Sequence, residues 1–547
     1  MTIKYTKEQL NKFDKDLLIE LFLGMQGQME ELSRQTQALN DRMQLMMEQM
    51  VLFQKNRFGR SSEKMADSEQ IRFMEVDGTI VFFNEAEAVC DLDAPEPDDL
   101  ELKAPKKKKQ PGKKAADIAG LTVKRIDHYL KEEELTAEFG ENGWKQLPDA
   151  ISRCYQFIPA SVVIEEHHIG VYSSKLDEHM IKAPHPRNLL HGSLVSPSLA
   201  AAVINGKYVN AVPLYRLEKG FERYGLAITR QNMANWMIRL GEEYLGTMYD
   251  YLHKLLYDYH VIQADETPVL VNKDGRPAGS QSYMWVYRSG FMYRDRQIIL
   301  YEYQKTRNAS HPREFLRDYT GICVTDGYQV YHTLEKERED LKIAGCWVHC
   351  RRRFNDALEV IPKAHRKESI LHLIMKQIQA IYREEGKLSD FSTEDRLMQR
   401  QLVVKPLVDA FFAYLKQNEP KIPKNGKIRE AFTYALNQES YLKVFLEDGD
   451  VPIDNNASER AIRGFCIGKK NWEMIDTVNG ANSSAIIYSI AETAKANNLK
   501  PFDYFEYLLT EIPKHVDDKN IDFLAELLPW SDMLPENIRK PQKASGK

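Results

Sequence analysis

With 547 residues, the chain exceeds what one hydrophobic core organises, and at ~150 residues per unit it predicts three or four domains. Its 43% hydrophobic and 28% charged residues contain no run of ~18 apolar positions, and the opening MTIKYTKEQLNKFDKD has no apolar core, so membrane and exported classes are set aside and a cytoplasmic location is expected. Net charge is −5, against bulk affinity for nucleic acid, and six scattered cysteines fit a reducing compartment rather than a disulfide framework.

Along the chain, the first expected element is a coiled coil over 10–56. Leu18, Met25, Leu32, Leu39, Met46 and Phe53 recur every seven residues, with Phe22, Met29, Thr36, Met43 and Met50 as a second series. Two interleaved heptad series describe a seam, so self-association is expected. A flexible linker follows over 57–120, carrying the basic run KAPKKKKQPGKK. Its Lys106, Lys107, Lys108 and Lys109 are candidates for sequence-independent phosphate contact. Residues 121–190 alternate and predict a small β-rich module. Residues 191–255 turn helical: an amphipathic helix ends near Gly225, and Thr229 is a candidate N-cap for a second helix opening with Arg230, Gln231 and Asn232. That layout is a candidate helix-turn-helix DNA-binding region.

Beyond residue 255 the period changes. HVIQADETPVLV, SYMWVYRSG and RQIILYEYQ read as three successive strands, TGICVTDGYQVYH as a fourth and LKIAGCWVHC as a fifth after a short helix. Three meandering strands and then a strand, a helix and a strand predict the mixed sheet of a ribonuclease H-like catalytic core, split into 256–363 and 451–512 by a helical insertion at 364–450. A tail is expected over 513–547. The fold class is therefore multidomain α/β.

In that sheet Asp265 lies inside the first strand and Asp326, 61 residues later, ends the fourth, which pairs beside the first. Two converging carboxylates repel unless a cation compensates, and Mg2+ takes oxygen ligands of this kind. DNNASERAIR supplies a third acid, Glu459, on a helix that Asp454 can cap. Asp265, Asp326 and Glu459 are thus the candidate catalytic and metal-ligating set, for two Mg2+ or Mn2+ ions. Around them, His349, Arg351 and Arg352 in CWVHCRRRF, with Arg460, Arg463, Lys469, Lys470 and Trp472 in the last segment, are candidate DNA contacts. Cys346 and His349 are expected at the end of the fifth strand, and Cys350 at the start of the helix that follows. Glu266 is not expected to be a ligand.

QADETPV, VTDGYQVYH, GCWVHCRRRF, DNNASERAIR with KNW, the late ETAKANNLKPFDYFEYLL, and RFGRSSEK after the coiled coil together resemble the transposase of the insertion sequence 66 family. The resemblance implies a DDE transposase that cuts and joins double-stranded DNA at terminal inverted repeats, with Asp265, Asp326 and Glu459 as its triad, sometimes beside small accessory proteins. Members of that family usually carry two CxxC-type pairs in a zinc module. Residues 121–180 here hold only Cys154, so no zinc is expected. Two competing functions share these residues: an inactive DNA-binding regulator or relic, and a nuclease that cuts without rejoining.

Overall fold

The structure, a computed structural model, describes residues 73–76, 79–82, 130–140, 161–173, 180–184 and 187–541, less 278 and 291. The expected coiled coil, the lysine run 106–109 and Cys154 lie outside the described residues. The chain divides into two compact units, 60–163 with 540–547, and the remainder. The smaller contains an antiparallel ribbon, Phe73–Val76 with Thr79–Phe82, and a helix, Glu132–Phe139. Glu134 accepts from the backbone N–H of Lys131 at 2.9 Å, which seals the helix start.

In the larger unit a short ribbon, Val171–Ser173 with Met180–Lys182, precedes the helices. α1 (Pro197–Ile204) is capped by Ser196. α2 (Leu214–Arg223) stops at Tyr224 and Gly225, whose φ of 80° suits glycine. Thr229 then caps α3 (Arg230–Leu240), accepting from Asn232 N–H at 3.2 Å, as its side chain and position lead one to expect. A π-helical turn, Gly241–Leu245, joins α3 to α4 (Gly246–Leu256). Here small residues allow close approach: a Cβ on Gly241 would lie 2.9 Å from Ser483 Oγ.

The sheet comprises β1 (Val261–Lys273), β2 (Gln281–Ser289), β3 (Ile299–Gln304), β4 (Gly321–Thr325), β5 (Leu341–Gly345) and β6 (Ile475–Thr477). Its order is β3-β2-β1-β4-β5, with β6 pairing the far end of β1. β1–β2–β3 is an antiparallel meander, while β4 and β5 run parallel to β1. α5 (Ser310–Phe315) and α6 (Gln329–Glu337) make the crossovers, and α7 (Trp347–Val360) leaves β5. Helices α8 (Ile370–Gly386), α9 (Thr393–Gln399), α10 (Lys405–Asn418), α11 (Lys427–Asn437) and α12 (Glu439–Lys443) follow, then α13 (Asn456–Trp472), α14 (Val478–Ala496) and α15 (Pro501–Glu511).

Side-chain alternation along the strands feeds two separate cores. Ile262, Ala264, Cys323 and Ile343 pack with α3, α4, α13, α14 and α15. Val261, Ile322, Val324 and Ala344 face the other way, onto Trp347 and Phe354 of α7 and the helices beyond it. The residues after 512 are not a free tail: Leu524, Leu527, Leu528, Leu534 and Ile538 are buried in the first core, and Tyr504 Oη donates to Leu527 O at 2.8 Å. Irregular turns and short 3-10 segments without helical period carry these residues, so no periodic signal marks them. Among the described residues no helix is long and apolar enough to cross a membrane.

Candidate active site

Asp265 sits mid-strand because β1 is pinned on both sides. It pairs with Val286 of β2, and the parallel register with β4 runs at an offset of 61, Val261 with Ile322 and Gln263 with Val324. Continued two residues, that register sets Asp265 beside Asp326, which follows the end of β4. There Asp326 Oδ1 accepts from Tyr328 N–H at 2.9 Å, and Gly327, at φ 89°, turns the chain into α6.

The third acid, Glu459, rides in the first turn of α13. Asn455, fully buried, takes the cap position predicted for Asp454, and Asp454 instead accepts from Asn456 N–H at 3.1 Å. Asn455 fastens the helix start to β1: Nδ2 donates to Ala264 O at 2.7 Å, and Gln263 Nε2 donates to Asn455 Oδ1 at 3.1 Å. Arg288 reaches from β2 to Ala457 O at 3.1 Å. The two residues before Asp265, with Arg288 of the neighbouring strand, thus set the placement of Glu459.

The electrostatics are those of buried acids only partly compensated by arginines. Burial pushes Asp265 up to about 8, helped by the like charges of Glu266, Asp326 and Glu459 and opposed by the Glu266 N–H donated to it. Glu266 rises to about 7 through burial and Asp326, although Arg307 pairs with it. Arg307 also lies 3.7 Å over the Tyr328 ring. Sequence reading missed Arg307, which sits in a loop with no local signal. Glu459 is approached from α7: Arg352 Nη2 lies 3.5 Å from Oε2 and His349 Nε2 lies 3.9 Å from Oε1. His349, in the first turn of α7 rather than at a strand end, is held low by burial, against the pull of Asp326 and Glu459.

An all-oxygen, desolvated and mutually repelling donor set has the chemistry of a hard divalent cation site. Glu266 Oε2 and Glu459 Oε1 are buried without hydrogen-bond partners. Among the described residues, no three His, Cys, Asp or Glu side chains stand close enough to enclose an ion as placed. The neighbouring thiols are no ligands here: burial pushes Cys346 up to about 12 and Cys350 higher still.

The other predicted contacts divide. Arg230, Gln231 and Asn232 are exposed at the start of α3; Arg352 is exposed beside Glu459, and Arg460, Arg463 and Lys470 are exposed along α13, Lys470 in its last turn, remote from Glu459. Arg351 is half-buried. Lys469 donates to Pro268 O, and Trp472 packs edge-on against Phe465 at 5.6 Å, so both are committed to the fold.

A mixed α/β fold whose acids gather at the carboxyl end of one strand and the middle of its neighbour defines a candidate phosphoryl-transfer site. The chain belongs to the Transposase IS66 family, which it matches over residues 192–483, more than half its length. Membership implies a transposase, an enzyme acting on DNA. The IS66 C-terminal element matches 489–530, and the Transposase C of IS166 homeodomain matches 45–126, a stretch read above mainly as linker. Among its relatives are two uncharacterized proteins of Sinorhizobium fredii: y4qI, 28% identical over 66% of this chain and 67% of its own, and y4jD, 24% identical over 76% and 82%.

Proposed function

We propose that the protein is a DDE transposase with a ribonuclease H-like core, which cuts DNA at the terminal inverted repeats of its element and joins the ends to target DNA. One observation supports the reading: the β1–β4 register runs Asp265 alongside Asp326, far apart in sequence, and burial, with the like charges of Glu266, Asp326 and Glu459 added, pushes Asp265 up to about 8. Asp265, Asp326 and Glu459 would hold divalent cations, Mg2+ or Mn2+, which supply Lewis-acid polarisation of a phosphodiester and a nucleophilic oxygen at neutral pH. The chain's own residues do the positioning. Asn455 and Arg288 fix Glu459 relative to Asp265, and Arg307 holds Glu266 out of the ligand set. Arg352 pairs with Glu459 until the site is filled, and with Arg460 and Arg463 it offers charge to DNA phosphates, while His349 stands beside them as a hydrogen-bonding group. Arg230, Gln231 and Asn232, at the exposed start of α3, are the candidate base-reading positions, in the helix-turn-helix over 191–255. The insertion at 364–450, the coiled coil at 10–56 as a self-association element, and the basic run 106–109 complete the domain plan.

The test is strand transfer by purified protein with Mg2+ or Mn2+ and labelled DNA carrying the element's ends, beside Asp326→Asn. Joined product that depends on metal and vanishes in the variant is expected. Specific binding with neither nicking nor joining in either metal would overturn the reading in favour of a DNA-binding regulator.

A further inference from the structure

A groove of about 760 Å3 opens beside the acid site, between α6 and the start of α11. It joins the site directly, because Tyr434 in its wall donates to Asp326 O at 2.9 Å and a Cβ on Gly327 would meet that same hydroxyl at 2.8 Å. Lys336, Arg353 and Lys424 line it and are exposed. Among the described residues none of the three has a carboxylate ion-pair partner, although the chain as a whole is acidic. Glu430, the acid of the wall, is already held by Lys427 at 2.7 Å. The groove is built rather than incidental. Arg429 donates to the carbonyls of Pro423, Glu419 and Ile422, so the loop that carries Lys424 is tied to α11. Arg353 lies 4.2 Å over the Tyr434 ring, and His332 stacks on Tyr441 at 3.9 Å.

Unpaired cations converging beside aromatic rings suit a polyanion with flat bases. The volume falls in the ~300–1,000 Å3 range of small-ligand clefts, room for a few unpaired nucleotides. We propose that this groove binds a single strand of DNA next to the scissile phosphate. The proposal rests on the transposase reading for the identity of the polyanion, and names where an unpaired strand leaves the carboxylates.

The experiment measures binding of a labelled oligothymidine and of a duplex of equal length to the full chain, by anisotropy, in EDTA and across a salt series. The proteins are the parent chain, Lys336→Glu/Lys424→Glu, and the milder Lys336→Gln/Lys424→Gln, with circular dichroism as the folding control. Two lost phosphate contacts at a slope of ~0.7 each reduce the salt dependence for the single strand by about 1.4, which is about 25-fold in affinity at 0.1 M salt. Duplex binding is expected to change less than twofold. An unchanged single-strand slope, or equal losses for both DNAs, would overturn the proposal. Neither metal nor cleavage enters the assay, so an inactive centre leaves its result intact. Conversely, a chain that transfers strands but shows no groove effect refutes only the groove.

Discussion

Replacing Asp265 with asparagine should stabilise the metal-free protein, and by more as pH rises. The carboxyl's usual value of 3.8 is pushed to about 8 in the fold, mainly by burial and next by Glu266. The folded value lies above the unfolded one, so the native state is favoured below about pH 4, and that advantage is lost progressively as pH climbs towards 8. At ~1.4 kcal/mol per pH unit, a shift of about four units sets an upper limit of roughly 5–6 kcal/mol. Residual solvent contact reduces it, and we take ~2–3 kcal/mol of gain for Asp265→Asn at pH 8 over that at pH 5. The amide keeps an oxygen to accept from Glu266 N–H, now at 2.9 Å, so the local turn of the strand survives. Thermal melts in EDTA at pH 5, 6, 7 and 8 read this directly. At no more than ~2 °C per kcal/mol for a unit this large, the variant's advantage grows by at most about 4–6 °C between the extremes. A difference in Tm that stays flat with pH would refute the argument that buried like charge governs Asp265.

Other expectations follow from the same contacts. Asp326→Asn and Glu459→Gln should each remove strand transfer while leaving affinity for element-end DNA within about twofold, measured by gel shift; parallel loss of binding would mark the acids as structural. Asn455→Ala removes buried hydrogen bonds between α13 and β1 and should cost roughly 2–4 kcal/mol in urea unfolding. Arg307→Ala leaves Glu266 buried without its cation and should destabilise by about 3 kcal/mol, most of it recovered in the double variant with Glu266→Gln. A double-mutant cycle without coupling would exclude that pairing as the reason Glu266 tolerates burial. Adding Mg2+ at pH 7.5 should raise the Tm of the parent chain but not of Asp265→Asn.

Much of the sheet was legible because its strands announce themselves. HVIQADETPVLV is a β-branched run broken by two acids, and the spacing of Asp265 from Asp326 is the register offset between β1 and β4. Thr229 and Gly225 marked helix ends for reasons of local chemistry. Tertiary choices were less visible. In the run Asp454, Asn455, Asn456, each residue is a competent cap; Asn455 takes the position but turns its side chain to the carbonyl of Ala264, and Asp454 accepts from Asn456 N–H. Arg307 and Glu266 meet through loop geometry that no periodicity encodes. The leucines after 512 lie on irregular turns, so their burial depends on a surface that only the folded chain presents.

The second core has an evolutionary consequence. Val261, Ile322, Val324 and Ala344 are covered by α7 and the helices between the second and third acids. That segment is therefore half of the folding unit, although it interrupts the catalytic sequence. Lineages should vary freely in its outer loops and add or lose residues there. They cannot discard the helices touching those four side chains without replacing the lid, because the bared face of the sheet would invite aggregation. The length of this segment in a relative is thus bounded from below by the area of sheet it must shelter.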